Sequence, residues 1–181
     1  DCKIRRLRTT DVANPGPMKG RYMTRTSIRR NILSRIGLAG PSYRLRLADS
    51  ADDLRAAQAL RFLVFNVELD EGLKESYASC LDIDEFDAVC EHLLVEDTHT
   101  GAVVGTYRLQ TGVGAAMHRG YYGAREFDFT PFEDMRPAMV ELGRACIHHE
   151  HRSYAVLSLL WRGIAEYARQ HQARFLIGCS S

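Results

Sequence analysis

The sequence predicts an α/β fold built on one mixed sheet, in which parallel and antiparallel strands lie side by side. Two apolar runs, 92–97 and 102–109, flank a short polar segment, which is typical of an antiparallel β-hairpin. A strand, a long apolar helix and another strand follow over 139–179, and this order predicts a parallel crossover. The chain has 181 residues and is 45% hydrophobic, so it can bury the core of one such domain.

Charge is distributed unevenly along the chain. Residues 1–40 hold ten Lys or Arg and two acidic residues, a net charge of +8, whereas the remainder carries −7. A basic arm favours an anionic partner, so a membrane surface, an acidic carrier protein and nucleic acid stay open, as does a leader without a partner. Ile28, Ile32 and Ile36 share one face of a predicted helix that would lie on a membrane or pack against the domain.

Cysteine usage and hydropathy indicate the compartment. Five cysteines without a CxxC pair predict a reducing environment and no disulfide framework. No apolar run reaches the roughly 18–20 residues of a membrane span, and no signal-peptide pattern occurs. The chain does not start with Met and stops directly after a predicted core strand, so we expect a fragment truncated at both ends.

The elements of the predicted domain follow in order. Residues 43–47 alternate polar and apolar, as a half-buried strand does, and Asp49 or Ser50 then caps a helix that runs to about Glu68. In the acidic segment 70–87, residues 82–87 resemble a calcium loop but lack its glycine and terminal Glu, so the segment would cap structure or recognise a cationic substrate. The later elements are the hairpin, an irregular insert over 112–136, a strand over 139–147, a helix over 154–170 and a strand over 173–179.

The strand over 139–147 contains two charges within an apolar run, Glu141 and Arg144. Buried charges are rare unless they are paired or used, so a structural ion pair and a functional pair both stay open. Residues three apart on a strand point to opposite faces unless a bulge intervenes. We therefore predict a bulge at Gly143 if both side chains line one site.

Several chemistries lack their motif in this sequence. There is no GxGxxG after a first strand, no P-loop and no GxSxG elbow. His148, His149, Glu150 and His151 are adjacent rather than spaced as in HExxH, and side chains on an extended segment point apart. We therefore expect neither a bound metal nor a bound cofactor.

Seven short motifs occur in a fixed order in the predicted domain. They are RFLVF at 61–65, DEFD at 84–87, CEHLLV at 90–95, VGTYRL at 104–109, EFD at 126–128, ELGR at 141–144 and LWRG at 160–163. Together they resemble the GNAT acyltransferase superfamily and, within it, the bacterial ornithine N-acyltransferases of ornithine-lipid synthesis. The skeleton is also similar to the acyl-homoserine-lactone synthases. The resemblance makes 43–181 a GNAT-like domain, incomplete at its C-terminal end, and leaves 1–42 as a basic arm and linker.

The resemblance implies a mixed sheet whose fourth and fifth strands splay, so that an acyl thioester enters the gap and an α-amine attacks it. Glu141 would accept the amine's proton, directly or through a water, and Arg144 would counter its charge or hold the amino acid's carboxylate. A backbone N–H near residues 146–148 would meet the oxyanion. Cys146 would be a core residue, since no covalent intermediate is required.

Further site residues are implied on the side of the acceptor. Arg108 is a second candidate for the acceptor's carboxylate. Asp84 and Asp87 would bind the side-chain ammonium of ornithine, or they would be architectural and pair with Arg61. The full implied set of substrate-binding residues is Arg61, Asp84, Asp87 and Arg108.

The implied donor follows from the segment after the ExxR strand. Members that use acetyl-CoA carry a glycine-rich loop there, whose amides hold the pyrophosphate. Here Arg152 and Ser153 precede Tyr154 and Val156, with no glycine. That favours the phosphopantetheine arm of acyl carrier protein, held near Arg152 and Ser153, although a different loop that accepts CoA stays open.

The resemblance thus implies transfer of a (3-hydroxy)fatty acyl group from acyl carrier protein to the α-amine of L-ornithine. The partners would be acyl carrier protein, L-ornithine and an anionic membrane touched by residues 1–42, with no nucleic acid and a cytoplasmic location. There are three alternatives: another N-acyl amino acid synthase, an acyl-homoserine-lactone synthase, and a non-catalytic module that binds acyl carriers or membranes.

Overall fold

A six-stranded mixed sheet forms the frame of the domain in the computed structural model, which describes residues 5–6 and 42–179. The strands are β1 (Arg5–Arg6), β2 (Tyr43–Leu47), β3 (Glu91–Asp97), β4 (Val103–Thr111), β5 (Met139–Ile147) and β6 (Phe175–Ile177). They lie in the order β1-β6-β5-β4-β3-β2, and only β5–β6 is parallel. The predicted hairpin, crossover and mixed α/β fold are confirmed. The predicted helix of residues 27–38 lies outside the described residues.

Among the described residues, three α-helices accompany the sheet: α1 (Ala51–Phe62), α2 (Gly112–Met117) and α3 (Tyr154–Gln170). Helix α1 begins at Ser50, whose Oγ accepts a hydrogen bond from the Asp53 N–H at 3.1 Å. The helix predicted to reach Glu68 does so, but its last part, Leu63–Glu68, is a π-helix. π-Helical turns are rare in proteins, and those that occur are often found at functional sites.

Helices α1 and α3 cover opposite faces of the sheet because side chains alternate along each strand. Leu93 of β3 packs in the core cluster that contains Ile164 of α3. Leu94, the next residue, packs instead with Ala57 of α1. The insert, residues 112–138, contains α2 and two 3₁₀ turns and contacts β4 and β5.

Strands β5 and β6 pair over three residues. Residues Met139 to Glu141 of β5 pair with Phe175 to Ile177 of β6, whereas β5 stays paired with β4 as far as Ile147. Beyond β6, a Cβ on Gly178 would lie 2.6 Å from the Leu142 carbonyl oxygen, so the two segments are still adjacent there. The splay that the resemblance implied stays a prediction.

A β-bulge interrupts β5 just beyond the residues that pair with β6, and it changes the direction of the side chains that follow. Arg108 of β4 lies opposite Gly143 and Thr106 lies opposite Cys146, so two residues of β5, Arg144 and Ala145, face one residue of β4. Arg144 has φ = 50°, in the left-handed region that non-glycine residues rarely adopt. The bulge predicted at Gly143 is present, and its left-handed residue is the next one along.

Candidate functional site: a cavity beside strand β5

A cavity of about 750 Å³ lies against the outer half of β5. Its apolar wall combines the π-helix with the first turns of α3, through Phe65, Leu69, Leu157 and Leu160. Its polar lining comes from the sheet face that α1 and the insert cover: Arg108, Gln110, Glu141 and Arg144. An elongated apolar group and a polar head can therefore occupy one continuous space.

Glu141 is buried at the inner end of this cavity and joins the sheet to the insert. Its Oε2 accepts from the Tyr122 N–H at 2.9 Å and its Oε1 from the Gly123 N–H at 2.8 Å. Burial raises the pKa of the carboxyl, and the two backbone donors only partly oppose that rise. Each oxygen keeps a free lone pair, so Glu141 can still accept a proton from a ligand.

Arg108 and Arg144 converge on Asp84 beside this carboxylate. The Arg108 Nη1 donates to both Asp84 oxygens, at 2.5 and 2.6 Å, and the Arg144 guanidinium approaches Asp84 Oδ2 at 3.4 Å. Burial would raise the pKa of Asp84, but the arginine contacts outweigh it and the pKa is lowered. Asp84 therefore stays ionised and orients both guanidinium groups along the cavity wall.

Arg61 and Asp87 form a buried pair behind that wall, and the Asp87 Oδ1 also accepts from the Arg108 Nη1 at 3.1 Å. The Arg61 Nη1 and Nη2 donate to the two Asp87 oxygens at 2.9 and 2.6 Å, and Nη2 also donates to the Asp82 carbonyl. Arg61 is fully buried, and neither it nor Asp87 lines the cavity. The Arg61–Asp87 pairing that the sequence left open is therefore present. The substrate-binding role of these two residues stays a prediction.

The sequence reasoning missed Tyr122 and Gly123, although they complete the site. Besides donating to Glu141, Tyr122 places its ring 5.5 Å from the Arg108 guanidinium carbon and 5.7 Å from that of Arg144. A Cβ on Gly123 would lie 3.3 Å from Glu141 Oε1, so the glycine permits the close approach. An aromatic residue followed by glycine in an irregular insert was the available signal, but its distance from β5 hid the contact.

Arg152 and Ser153, predicted near the phosphopantetheine, occupy the loop between β5 and α3. The Arg152 Nη2 donates to Glu68 of the π-helix at 2.7 Å, and its Nε donates to the Ile147 carbonyl at 3.2 Å. Ser153 caps α3 by accepting from the Val156 N–H at 3.4 Å. Arg152 lines the cavity and Ser153 does not, so their binding role stays a prediction.

Cys146 and the histidine segment were two further expectations. Cys146 is buried, and burial raises the pKa of its thiol to about 12, which fits a core residue rather than a nucleophile. In contrast, ligand atoms of His148, His149 and Glu150 lie within 4.8 Å of one another, because a 3₁₀ turn replaces the extended segment. The expectation that these side chains point apart is wrong, whereas the absence of a bound metal stays a prediction.

The cavity beside β5 is lined by a carboxylate and two arginines, the residues that the resemblance implied for an acyltransferase domain. Residues 60–162 match the family described as acetyltransferase (GNAT) domain, and the chain belongs to that family. It is 39% identical over 160 residues to the L-ornithine N(alpha)-acyltransferase of Brucella abortus, covering 83% of this chain and 55% of that protein. The corresponding protein of Rhodobacter capsulatus is 36% identical over 146 residues, covering 77% and 56%.

The chain spans about half the length of these curated relatives. Among solved structures, the AHL synthase LasI has a TM-score of 0.52 at 20% identity, over 75% of this chain and 71% of that one. TofI, in a complex with an inhibitor and MTA, has a TM-score of 0.51 at 20% identity, over 74% and 70%. These likenesses confirm the GNAT-like fold. Among the described residues, no helix is long and apolar enough to cross a bilayer.

Proposed function

We propose that the protein transfers a (3-hydroxy)fatty acyl group from acyl carrier protein to the α-amine of L-ornithine, which gives lyso-ornithine lipid. The observation that carries the proposal is the cavity beside β5, in a chain 36–39% identical to L-ornithine N(alpha)-acyltransferases. The apolar wall suits an acyl chain, and the charged lining suits an amino acid. No cofactor is required, because the thioester supplies the activated acyl group.

Glu141 is the base in this proposal. The α-ammonium of ornithine gives a proton to the carboxylate, directly or through a water, and the free amine attacks the thioester carbonyl. A C–N bond forms, the C–S bond breaks, and the thiolate leaves as a thiol once it takes a proton. The raised pKa of Glu141 suits this role because a base works best when its pKa lies near the operating pH.

The acceptor's carboxylate lies near Arg108 and Arg144 in this proposal. Asp84 contacts both guanidinium groups and fixes their direction. Each arginine has one further carboxylate contact, Arg108 with Asp87 at 3.1 Å and Arg144 with Asp82 at 3.7 Å. The oxyanion would be met by a backbone N–H of the outer half of β5. His148 does not supply it in this structure, since its N–H donates to the Val104 carbonyl at 2.9 Å. Residues 146 and 147 remain the candidates.

The donor is a phosphopantetheine thioester, which enters between β5 and β6. The loop after β5 lacks glycine, and the first residue of α3, Tyr154, is 85% exposed at the expected position of a pyrophosphate. A donor without a nucleotide needs no close backbone approach there. Arg152 would contact the phosphate of the arm when its pairing with Glu68 opens.

The direct test offers the full-length protein 3-hydroxyacyl carrier protein with L-ornithine and detects the amide by mass spectrometry. Parallel reactions replace the donor with the matching acyl-CoA, or ornithine with lysine or S-adenosylmethionine. We expect amide only with ornithine, and at least tenfold less product from the CoA donor. Equal use of acyl-CoA would refute the donor assignment, and a lactone product from S-adenosylmethionine would place the protein with the AHL synthases.

The basic arm, residues 1–40, is proposed to hold the protein peripherally on the cytoplasmic side of an anionic membrane. Flotation with vesicles of anionic lipid should capture the full-length protein, and a variant that lacks residues 1–40 should stay unbound. Capture that persists in the shortened variant would assign membrane contact to the domain instead.

A further inference from the structure

Gln110 is a buried polar side chain that the proposed mechanism does not use. It lies on β4 directly opposite Glu141, two residues beyond Arg108, and it lines the cavity. Gln110 is only 3% exposed. Neither Oε1 nor Nε2 has a hydrogen-bond partner among the described residues.

Two other buried side chains have one unpaired polar atom but still form a hydrogen bond through another atom. Asn66 still donates through Nδ2 to the Leu73 carbonyl at 2.7 Å, and His92 still bonds through Nε2 to the Asp87 carbonyl at 3.2 Å. Within residues 42–179, Gln110 is the one buried carboxamide whose oxygen and nitrogen are both unpaired. A buried unpaired polar group is unfavourable, so such a group calls for a functional explanation.

Gln110 borders the cavity, and its Oε1 and Nε2 are themselves buried. Its cross-strand neighbour Glu141 is on the same face, within reach of a shared ligand. Beside this pair, Arg108 lies opposite Gly143, where an added Cβ would come no closer than 3.9 Å to the guanidinium. The missing side chain at Gly143 therefore leaves space bounded by a carboxylate, a guanidinium and the free carboxamide.

We propose that Gln110 binds the amino-acid moiety of the acceptor, with Oε1 accepting from the α-ammonium and Nε2 donating to the α-carboxylate. A carboxamide presents an acceptor and a donor side by side, and an α-amino acid presents the complementary pair. The contact holds the amine beside Glu141 and makes the site select amino acids over simple amines. This inference rests on the proposed function and adds a specificity residue to the same site.

The test is Gln110→Met in the full-length protein, since methionine has the same length without polar nitrogen or oxygen. We expect KM for ornithine to rise at least tenfold, while KM for the acyl carrier donor changes less than twofold. The preference for ornithine over 1,4-diaminobutane, its decarboxylated analogue, should shrink at least tenfold. The melting temperature should stay level or rise, because an unpaired buried amide is removed.

Gln170→Met is the matched control, because Gln170 on α3 bonds to Glu166 and does not line the cavity. It should leave both KM values unchanged. The wild type is first shown to use ornithine. If Gln110→Met then leaves KM for ornithine and the preference for ornithine over 1,4-diaminobutane unchanged, the inference is overturned. A lowered melting temperature with equal losses for donor and acceptor would also overturn it, since that marks a structural role. Wild-type protein that acylates 1,4-diaminobutane as well as ornithine would instead refute the proposed acceptor.

Discussion

Two polar clusters lie on the same face of the sheet, and they differ in what their charged groups bind. In the scaffold cluster (Arg61, Asp82 and Asp87), Arg61 is fully buried and donates to Asp87 and to the Asp82 carbonyl, although the Arg61 Nε and the Asp82 Oδ1 have no hydrogen-bond partner. In the cavity cluster (Gln110 and Glu141), the Gln110 side chain is unpaired and Glu141 keeps accepting capacity. Charges that pair with each other hold the fold, whereas groups with spare capacity that line the cavity are available for a ligand.

The comparison is tested most strongly at Arg61. Arg61→Leu leaves Asp87 buried without its main partner, so we expect the free energy of unfolding to fall by about 3–5 kcal/mol. Urea denaturation followed by circular dichroism measures this loss. Arg152→Leu is the control, since its pair with the exposed Glu68 is screened by solvent and should contribute little to stability. Similar losses in both variants would show that Arg61 does not form a distinct scaffold.

The second prediction concerns Glu141. Glu141→Gln should lower kcat at least 100-fold, or about 2.7 kcal/mol in the barrier, because an amide cannot take the proton. The wild-type rate should rise with pH through the raised pKa of Glu141. That limb should be missing in the variant.

A structural role for Glu141 would give a different result. Glutamine offers one acceptor for the two N–H groups of Tyr122 and Gly123, so the insert would loosen and the rate would fall equally at every pH. A pH profile that keeps its shape in Glu141→Gln, or a loss below tenfold, contradicts the assignment as base.

The sequence predicted the elements well because their signals are local. The cap at Ser50 and the apolar spacing of α1 and α3 gave helix bounds that match the structure closely, and the hairpin and crossover followed from element order. The resemblance gathered the charged residues into one region, which the structure confirms for Arg108, Glu141 and Arg144. The sequence could not predict which side chains would be paired, because pairing depends on which long-range partner each arginine reaches.

The insert shows the same limit. Tyr122 and Gly123 bond to a residue 18 or 19 positions away, and nothing in their local pattern indicates β5. Gln110 follows Arg108 at the strand period, so its face was readable. Its lack of a partner depends on every neighbour in the folded chain.

The third prediction uses pH to separate the clusters. Arg61 holds the pKa of Asp87 below its usual range despite burial, so this pair contributes stability above about pH 4 and loses it as pH falls. Glu141, with a raised pKa, contributes in the opposite sense, and its contribution is lost as pH rises through the folded-state pKa. Unfolding free energies measured from pH 3 to 7 should therefore fall toward acid in the wild type. Asp87→Asn should flatten that slope and Glu141→Gln should not.

The smallest predicted effect concerns the bulge, which brings the two regions together. Arg144 holds a left-handed backbone, so Arg144→Gly should be more stable than Arg144→Ala by about 1 kcal/mol, although both lose the contact with Asp84. Melting temperatures measure the difference. If the two variants are equally stable, the bulge is unstrained and the left-handed residue is not a constraint on β5. If glycine is the more stable, the arginine is kept at a cost in stability, as expected for a side chain that the site requires rather than the fold.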